Sequence, residues 1–155
     1  MAEEFYIAHG TKEEQYQALL PQIEALVVGE NDVIANMANI SAVLKTQFDF
    51  FWVGFYILRA DEMVLGPFQG PLACTRIAKG KGVCGTAWEQ GKTLIVPNVD
   101  VFPGHIACSS LSKSEIVVPV FKQGEVIAVL DVDSEYLDHF DQVDAKYLGE
   151  IVKLL

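Results

Sequence analysis

Three cysteines, Cys74, Cys84 and Cys108, lie within thirty-five residues in the glycine- and proline-rich middle of the chain. Cysteines that serve only packing usually lie in apolar strands or helices, where they behave as small hydrophobic residues. Each of these three is flanked by turn-forming or small polar residues, so we expect partial exposure. The alternative for Cys84, which a helical segment follows, is a packed thiol. Clustered, exposed thiols favour redox or nucleophilic chemistry.

The spacing of the cysteines limits which kinds of thiol site are plausible. No C-x-x-C pair is present, which argues against a structural zinc site and a thioredoxin-type redox pair. His105 precedes Cys108 by three residues and could complete a Cys₃His site, but such a site without a close-spaced pair is unusual. Otherwise the sequence suggests no common site for the three histidines. They are predicted to be surface or loop residues: His9, His105 and His139.

The composition predicts one globular domain over residues 1–155, because 51% of the residues are hydrophobic and 21% are charged. The net charge of −10 argues against nucleic acid as a partner, since a polyanion is repelled. No apolar run approaches the about 20 residues of a membrane span. The start MAEEFYIAHG lacks the features of a secretory signal, and three is an odd number of thiols. We therefore expect a cytoplasmic protein with reactive thiols rather than a disulfide framework.

Two helices are predicted at the start of the chain. Thr11 and Glu14 have the spacing of a capping box, and apolar residues then recur at helical intervals. Pro21 is expected to kink or divide this helix. Asn31 or Asp32 caps a second helix, whose predicted apolar face consists of Val33, Ile34, Met37, Ile40, Val43 and Leu44.

From Phe48 onward the apolar pattern changes to a period of two, and FDFFWVGFYIL predicts a strand. MVLGPFQG and TLIVPNV predict further strands, and EIVVPVFKQGEVIAVLDVDS predicts a hairpin that turns at Gln123 and Gly124. A short helix near residues 84–90 separates cysteine-bearing loops, and an amphipathic helix begins near Asp141. Helices around a mostly antiparallel sheet make an α+β domain.

Two aromatic residues of the first strand are candidates for a ligand site. Trp52 and Tyr56 share one face of this strand and flank Gly54, which predicts a gap where a ligand lies against the backbone. The alternative is that both rings are ordinary core residues.

Acidic side chains in the last two strands are further candidates. Asp131 and Asp133 share a face with Ile127 and Val129, and Glu115 begins the neighbouring strand. Carboxylates on a buried face are costly unless a positive group or a hydrogen-bond donor meets them. An aromatic wall with an acidic floor suits a small molecule that carries an ammonium group. Alternatively, the two aspartates simply end a strand, and Glu115 is a solvated surface acid.

The chain resembles the free methionine-(R)-sulfoxide reductases, small enzymes built on the GAF fold. The resemblance covers essentially the whole chain and is carried by GPFQGPLACTRIAKGKGVCGTAWEQGKTLIVPNV, FPGHIACSSLSKSEIVVP and AVLDVDS. It implies a six-stranded, mostly antiparallel sheet with two N-terminal helices and one C-terminal helix on one face. Substrate loops would cover the other face. It also implies reduction of free L-methionine (R)-sulfoxide without cofactor or metal, an external dithiol such as thioredoxin, and a homodimer as one option.

The resemblance also implies roles for individual residues. Cys108 matches the catalytic thiol, Cys74 the principal resolving thiol, and Cys84 the other thiol implicated in recycling. The residues that match the substrate-binding positions are Glu115, Asp131, Asp133, Trp52 and Tyr56.

These roles suggest a mechanism. A carboxyl group of the acidic cluster gives a proton to the sulfoxide oxygen, and the Cys108 thiolate attacks the sulfur. Cys74 or Cys84 then condenses with the resulting sulfenic acid to form a disulfide. Acidic neighbours would oppose ionisation of Cys108, so its activation needs backbone amides, a helix end or the charge of the substrate. The competing interpretations are a non-catalytic GAF module that binds a small ligand and a thiol-based redox sensor.

Overall fold

Six strands form one sheet in the order β3-β2-β1-β6-β5-β4, and every neighbouring pair is antiparallel. The computed structural model describes residues 4–106 and 108–155. The strands are β1 Trp52–Arg59, β2 Glu62–Gln69, β3 Arg76–Ala78, β4 Leu94–Val96, β5 Ser114–Lys122 and β6 Glu125–Ser134. The predicted α+β class and six-stranded sheet are confirmed.

Four helices accompany the sheet: α1 Lys12–Val27, α2 Val33–Phe48, α3 Gly82–Gln90 and α4 Gln142–Val152. The first two and the last contact one another or the strands and bury the larger core, as predicted. Helix α3 packs against β3, β5 and β6 beside the second core. Within the described ranges, no helix combines the length and apolarity that a membrane span requires.

Strand alternation divides the apolar side chains between the two cores. Val53 and Phe55 of β1 face the helices α1, α2 and α4 with Leu130 of β6. Trp52 and Tyr56 face the opposite side, where they join a smaller core with α3. The second core therefore lies where the cysteine-bearing segments cross the sheet.

The helix starts follow the predicted capping. The Thr11 side chain accepts from the Glu14 amide, the Glu14 carboxylate accepts from the Thr11 amide, and Asp32 caps α2. The prediction that Pro21 could divide the first helix is wrong, because α1 continues through it. Leu19 and Ile23 are both completely buried on either side of Pro21, and this packing stabilises the helix on both sides of the proline.

The predicted start of the first strand at Phe48 is wrong. Phe48 ends α2 instead of beginning a strand, and Asp49 adopts a left-handed conformation (φ 52°) that turns the chain toward β1. The Phe48 ring packs on Phe50 with centroids 5.1 Å apart, so Phe48 contributes to the core from the end of the helix.

Val33 and Ile34 are exposed, because the first turn of α2 extends beyond the surface that the helix covers.

The last hairpin turns at Gln123 and Gly124, as predicted, and both residues have positive φ angles of 53° and 78°. Its register shifts near the turn, where Val120 pairs with Ala128 but Phe121 pairs with Val126. Ile127 is therefore the extra residue of a bulge. It packs against the larger core and Val126 against the smaller one, so the predicted faces of these two residues are reversed.

Strand β3 was not predicted from its own residues, because its three residues lie in a segment that reads as a cysteine-bearing loop. Its register is set by β2, where Met63 pairs with Ile77. Both side chains are buried in the smaller core. The Cys74 loop is consequently fixed to the sheet at its far end.

Candidate active site

The register of the three central strands brings together the predicted binding residues. Trp52 of β1 pairs with Asp133 of β6, and Asp133 pairs with Glu115 of β5. Residues that pair directly across antiparallel strands project from the same face. Asp131 lies two residues before Asp133 on the same face. The structure thus brings one aromatic and three acidic side chains together, although their roles in binding stay predictions.

The acidic cluster is buried without a full set of partners. Glu115 and Asp131 are each only 6% exposed, and one carboxylate oxygen of Asp131, Oδ1, has no hydrogen-bond partner. Burial raises the pKa of Glu115 and of Asp133 well above their usual values, and the charge of Asp131 adds to both effects. The cluster therefore holds protons at a pH where exposed carboxyl groups are ionised, and it can supply one to a bound molecule.

Trp52 and Tyr56 form a wall beside this cluster, with stacked rings whose centroids are 5.9 Å apart. Both are almost completely buried, as the core interpretation expected. Each has its polar atom bonded to the loop that carries Cys74. The Trp52 indole donates to the Pro71 carbonyl at 3.1 Å, and the Tyr56 hydroxyl donates to the Cys74 carbonyl at 2.8 Å. The wall thus also anchors a cysteine.

The predicted gap at Gly54 is wrong. A Cβ atom at this position would lie 2.7 Å from the Phe68 Cα and 2.9 Å from the Pro67 carbonyl oxygen. The Phe68 ring stacks on Trp52 with centroids 5.2 Å apart. Glycine is required here because β2 approaches closely at this point, so neighbouring protein occupies the space that the sequence suggested for a ligand.

Cys74 and Cys108 form a disulfide with their Cα atoms 5.5 Å apart. Cys74 is half-buried and Cys108 is exposed, as predicted for loop thiols. The bond joins the loop between β2 and β3 to the long loop before β5, a chain separation of 34 residues. Two thiols that can form this bond can also store and release a pair of electrons.

Cys84 differs from the other two cysteines. It is free, lies in α3 and is 4% exposed, so the predicted exposure is wrong for this thiol. Burial raises the pKa of Cys84 well above its usual value, and the charges of Asp131 and Glu115 act in the same direction. A thiol held in its protonated form is a weak nucleophile. Its predicted part in recycling stays a prediction.

Two residues of the long loop belong to the site, although the sequence analysis gave neither of them a role in substrate binding. The His105 side chain is 14% exposed, with Nε2 4.0 Å from the Glu115 carboxylate, so the prediction of a surface or loop role was incomplete. Ser112 donates a 3.2 Å hydrogen bond to Asp133. The available signal was position, because both lie within four residues of Cys108 in the same loop.

His139 lies in a loop, as predicted, but it is not a surface residue. Its ring is half-buried, contacts the Ser134 hydroxyl through Nδ1 and stacks on Phe140 with centroids 4.8 Å apart. These contacts tie the segment before α4 to the end of β6. They are structural and lie outside the cavity of the candidate site.

A cavity lies under the disulfide and above the acidic cluster, lined among others by Trp52, His105 and Cys108. Its volume is about 60 Å³, which is room for about four to six water molecules. A whole amino acid is larger than the space that this form encloses.

The cluster also has the donors for a divalent cation. One ligand atom each from Cys84, Glu115 and Asp131 lie within 4.8 Å of one another. Thiolate and carboxylate oxygen together are ligands that zinc accepts. The same carboxylates equally suit a ligand ammonium group, so this arrangement alone does not favour a metal. The predicted absence of metal and cofactor stays a prediction.

The helices on one face and the loop-covered pocket on the other are those of a GAF domain, and the GAF domain family matches residues 30–155. The free methionine-R-sulfoxide reductase of Escherichia coli is 44% identical over 145 residues, which span 93% of this chain and 88% of that protein. GAF domain-containing protein A of Dictyostelium discoideum is 67% identical, over 100% of this chain and 99% of that protein.

A solved structure of the free methionine-R-sulfoxide reductase of Neisseria meningitidis, in complex with its substrate, superposes with a TM-score of 0.95. Its sequence is 56% identical, and the match covers 97% of this chain and 92% of that one. The chain belongs to the GAF domain family and, within it, to the free methionine-R-sulfoxide reductases.

Proposed function

We propose that the protein reduces free L-methionine (R)-sulfoxide to L-methionine. The observation that carries this proposal is the Cys74–Cys108 disulfide, which lies over a pocket lined by two buried carboxyl groups and one half-buried one. The relatives named free methionine-R-sulfoxide reductase support the substrate and its epimer. The disulfide supplies the redox chemistry, and the carboxyl groups supply both a proton and a counter-charge for an ammonium group.

The reaction begins with the reduced enzyme, because Cys108 can act as a nucleophile only when it is not bonded to Cys74. The ammonium group of the substrate lies against an ionised carboxylate of the cluster, and Asp131 is suited to this because its Oδ1 has no partner. A peptide-bound methionine sulfoxide has an amide in place of this ammonium group, and its chain would collide with the buried floor. The site consequently favours the free amino acid.

Chemistry then takes place at the sulfur atom. The Cys108 thiolate attacks the sulfoxide sulfur while a carboxyl group of Glu115 or Asp133 gives its proton to the oxygen. The oxygen passes to Cys108 as a sulfenic acid, and methionine leaves with an electron pair on its sulfur. The Cys74 thiol attacks the Cys108 sulfur, water leaves, and the disulfide forms. The raised pKa values of Glu115 and Asp133 keep the required proton available near neutral pH.

An external dithiol completes the cycle by reducing the disulfide, and we propose thioredoxin for this step. The exposure of Cys108 supports access by a protein thiol. Reduced thioredoxin is kept available in the cytoplasm, so we propose that compartment as the place of turnover.

The proposal is tested by incubating the protein with each epimer of free methionine sulfoxide and dithiothreitol, followed by chromatography of methionine. We expect consumption of the R epimer alone. Cys108→Ser is expected to form no methionine. Cys74→Ser, the matched variant, is expected to form one equivalent per enzyme and then to recycle slowly.

Full activity of Cys108→Ser would show that another group is the nucleophile. The disulfide is also compatible with a thiol redox sensor, and this alternative gives a different result. A sensor would form the disulfide with peroxide but would release no methionine from either epimer. That outcome would remove the enzymatic function.

A further inference from the structure

The two loops joined by the disulfide differ in charge from the rest of the protein. Residues 70–82 contain Arg76, Lys79 and Lys81, residues 102–113 contain Lys113, and neither segment contains an acidic residue. The remainder of the chain has seven basic and twenty-one acidic residues. Arg76 is paired with Glu62 at 2.7 Å. The Lys79 ammonium lies over the Trp88 ring, beside a separate cavity that Gly124 and Glu125 also line. The charge available to a partner near the disulfide therefore comes from Lys81 and Lys113. Basic residues therefore lie near the disulfide, although the protein as a whole is acidic.

The same two loops expose large apolar side chains. Leu72 is 89% exposed, Leu111 is 58% exposed and Ile106 is 42% exposed. Leu72 and Ile106 each lie two residues before a cysteine of the disulfide, and Leu111 lies three residues after Cys108. We call these three side chains, with Lys81 and Lys113, the rim. Single exposed apolar residues are ordinary, but several around one reactive bond mark a contact surface.

We propose that the rim is the docking surface for the protein that reduces the disulfide, and that this partner presents an apolar patch within an acidic surface beside its own dithiol. The inference rests on the proposed function, which requires the Cys74–Cys108 bond to be reduced in every cycle. One thiolate of the partner attacks a sulfur of the disulfide, forms a mixed disulfide and releases the other cysteine as a thiolate. The second thiol of the partner then resolves the mixed disulfide. Two electrons pass to the enzyme, and the partner leaves in its disulfide form.

The composition of the rim explains why the partner is a protein and not only a small thiol. A small dithiol needs access to one sulfur, which the exposure of Cys108 already provides. Apolar side chains around the bond contribute binding energy only to a partner with a complementary surface. Lysines on an acidic protein also speed the approach of an acidic partner and orient it toward the bond.

The experiment compares two reductants on the same enzyme. Turnover of free methionine (R)-sulfoxide is measured with dithiothreitol and, separately, with thioredoxin, its reductase and NADPH. For Leu111→Ser we expect kcat/KM for thioredoxin to fall about fivefold or more, since truncation of a central contact residue has effects of this size. The rate with dithiothreitol should stay within about twofold of the unaltered protein.

Lys113→Glu provides a second, electrostatic test on a residue outside the cavity. Its kcat/KM for thioredoxin should fall about tenfold at low salt, and the deficit should shrink at high salt, because screening removes steering. Val28→Ser is the matched control. Val28 is 77% exposed at the end of α1, outside both loops, and its replacement should change neither reductant.

Several results would overturn this inference. Equal losses with both reductants would mean that Leu111 acts in the chemistry, and unchanged kinetics with thioredoxin would mean that the rim is not its contact. A dimer that dissociates in Leu111→Ser, detected by size-exclusion chromatography, would show that a second copy covers the rim. Failure of the unaltered protein to turn over with dithiothreitol would instead reject the proposed function, so the two failures are distinguishable.

Discussion

Replacement of Tyr56 by phenylalanine separates two uses of one side chain. The Tyr56 ring stacks beside Trp52 in the pocket wall, whereas its hydroxyl donates a 2.8 Å hydrogen bond to the Cys74 carbonyl. Tyr56→Phe keeps the ring and removes the hydrogen bond alone. The wall should stay intact while the loop that carries Cys74 loses one of its attachments.

The size of the effect follows from that one bond. A hydrogen bond within a protein contributes about 1 kcal/mol net, which is a factor of about five at 25 °C. Cys74 would then occupy the position needed to reach Cys108 about fivefold less often. Condensation of the Cys108 sulfenic acid with Cys74 should slow by the same factor, while the attack on the sulfoxide should not change.

The two steps can be measured separately in one experiment. Reduced protein is mixed with one equivalent of free methionine (R)-sulfoxide and quenched at intervals. Methionine is then determined by chromatography and remaining thiols by alkylation and mass spectrometry. We expect methionine formation within about twofold of the unaltered protein and thiol loss about fivefold slower. Equal slowing of both steps would show that the hydroxyl acts on the substrate, and no slowing would show that it does not position Cys74.

Two stability measurements test the surroundings of the site. Burial raises the pKa of the Asp133 carboxyl. Such a group stabilises the fold fully below its unfolded pKa of about 4 and loses this contribution as the pH rises through the raised value. The unfolding free energy, measured with denaturant at stepwise pH, should therefore fall less with rising pH in Asp133→Asn than in the unaltered protein, and parallel curves would contradict the assignment. Asp144 is 1% exposed and accepts hydrogen bonds from Tyr16 at 2.6 Å and Lys12 at 2.7 Å. Asp144→Ala should lower the free energy of unfolding by about 3 kcal/mol, which corresponds to a fall in Tm of about 6–12 °C by calorimetry. A fall of less than about 2 °C would contradict this prediction.

Local signals in the sequence were sufficient for most of the fold. The capping residues Thr11 and Asp32 and the turn at Gln123–Gly124 act within a few residues of their own positions. Such short-range interactions can be predicted from the sequence. The short strand β3 was not, because its pairing partner β2 and not its own composition gives it strand geometry.

The site was predictable in its residues but not in its contacts. Alternation along β6 was enough to place Asp131 and Asp133 on one face. Their position beside Trp52 follows from the pairing of β1 with β6, which the sequence did not show. Phe68 fills the predicted gap at Gly54 because β2 approaches β1 closely at this point, and the sequence of β1 alone does not predict this approach. His105 was missed for a similar reason, because its approach to Glu115 depends on the path of a long loop across the sheet.

Cys84 illustrates the limit of composition as a guide to exposure. Its neighbours are small residues and glycines, which suggested partial exposure. The same small residues allow α3 to pack closely on the sheet, where the Gly85 position lies against the Ala78 carbonyl. A helix that approaches so closely buries its thiol.

The most direct test of the account is the state of all three cysteines after a single turnover. Fully reduced protein is given one equivalent of free methionine (R)-sulfoxide without any reductant, and the products are analysed by chromatography and peptide mapping. The account predicts one equivalent of methionine, a disulfide between Cys74 and Cys108, and Cys84 still reduced. Methionine formed with a disulfide at Cys84, or no methionine at all, would contradict it.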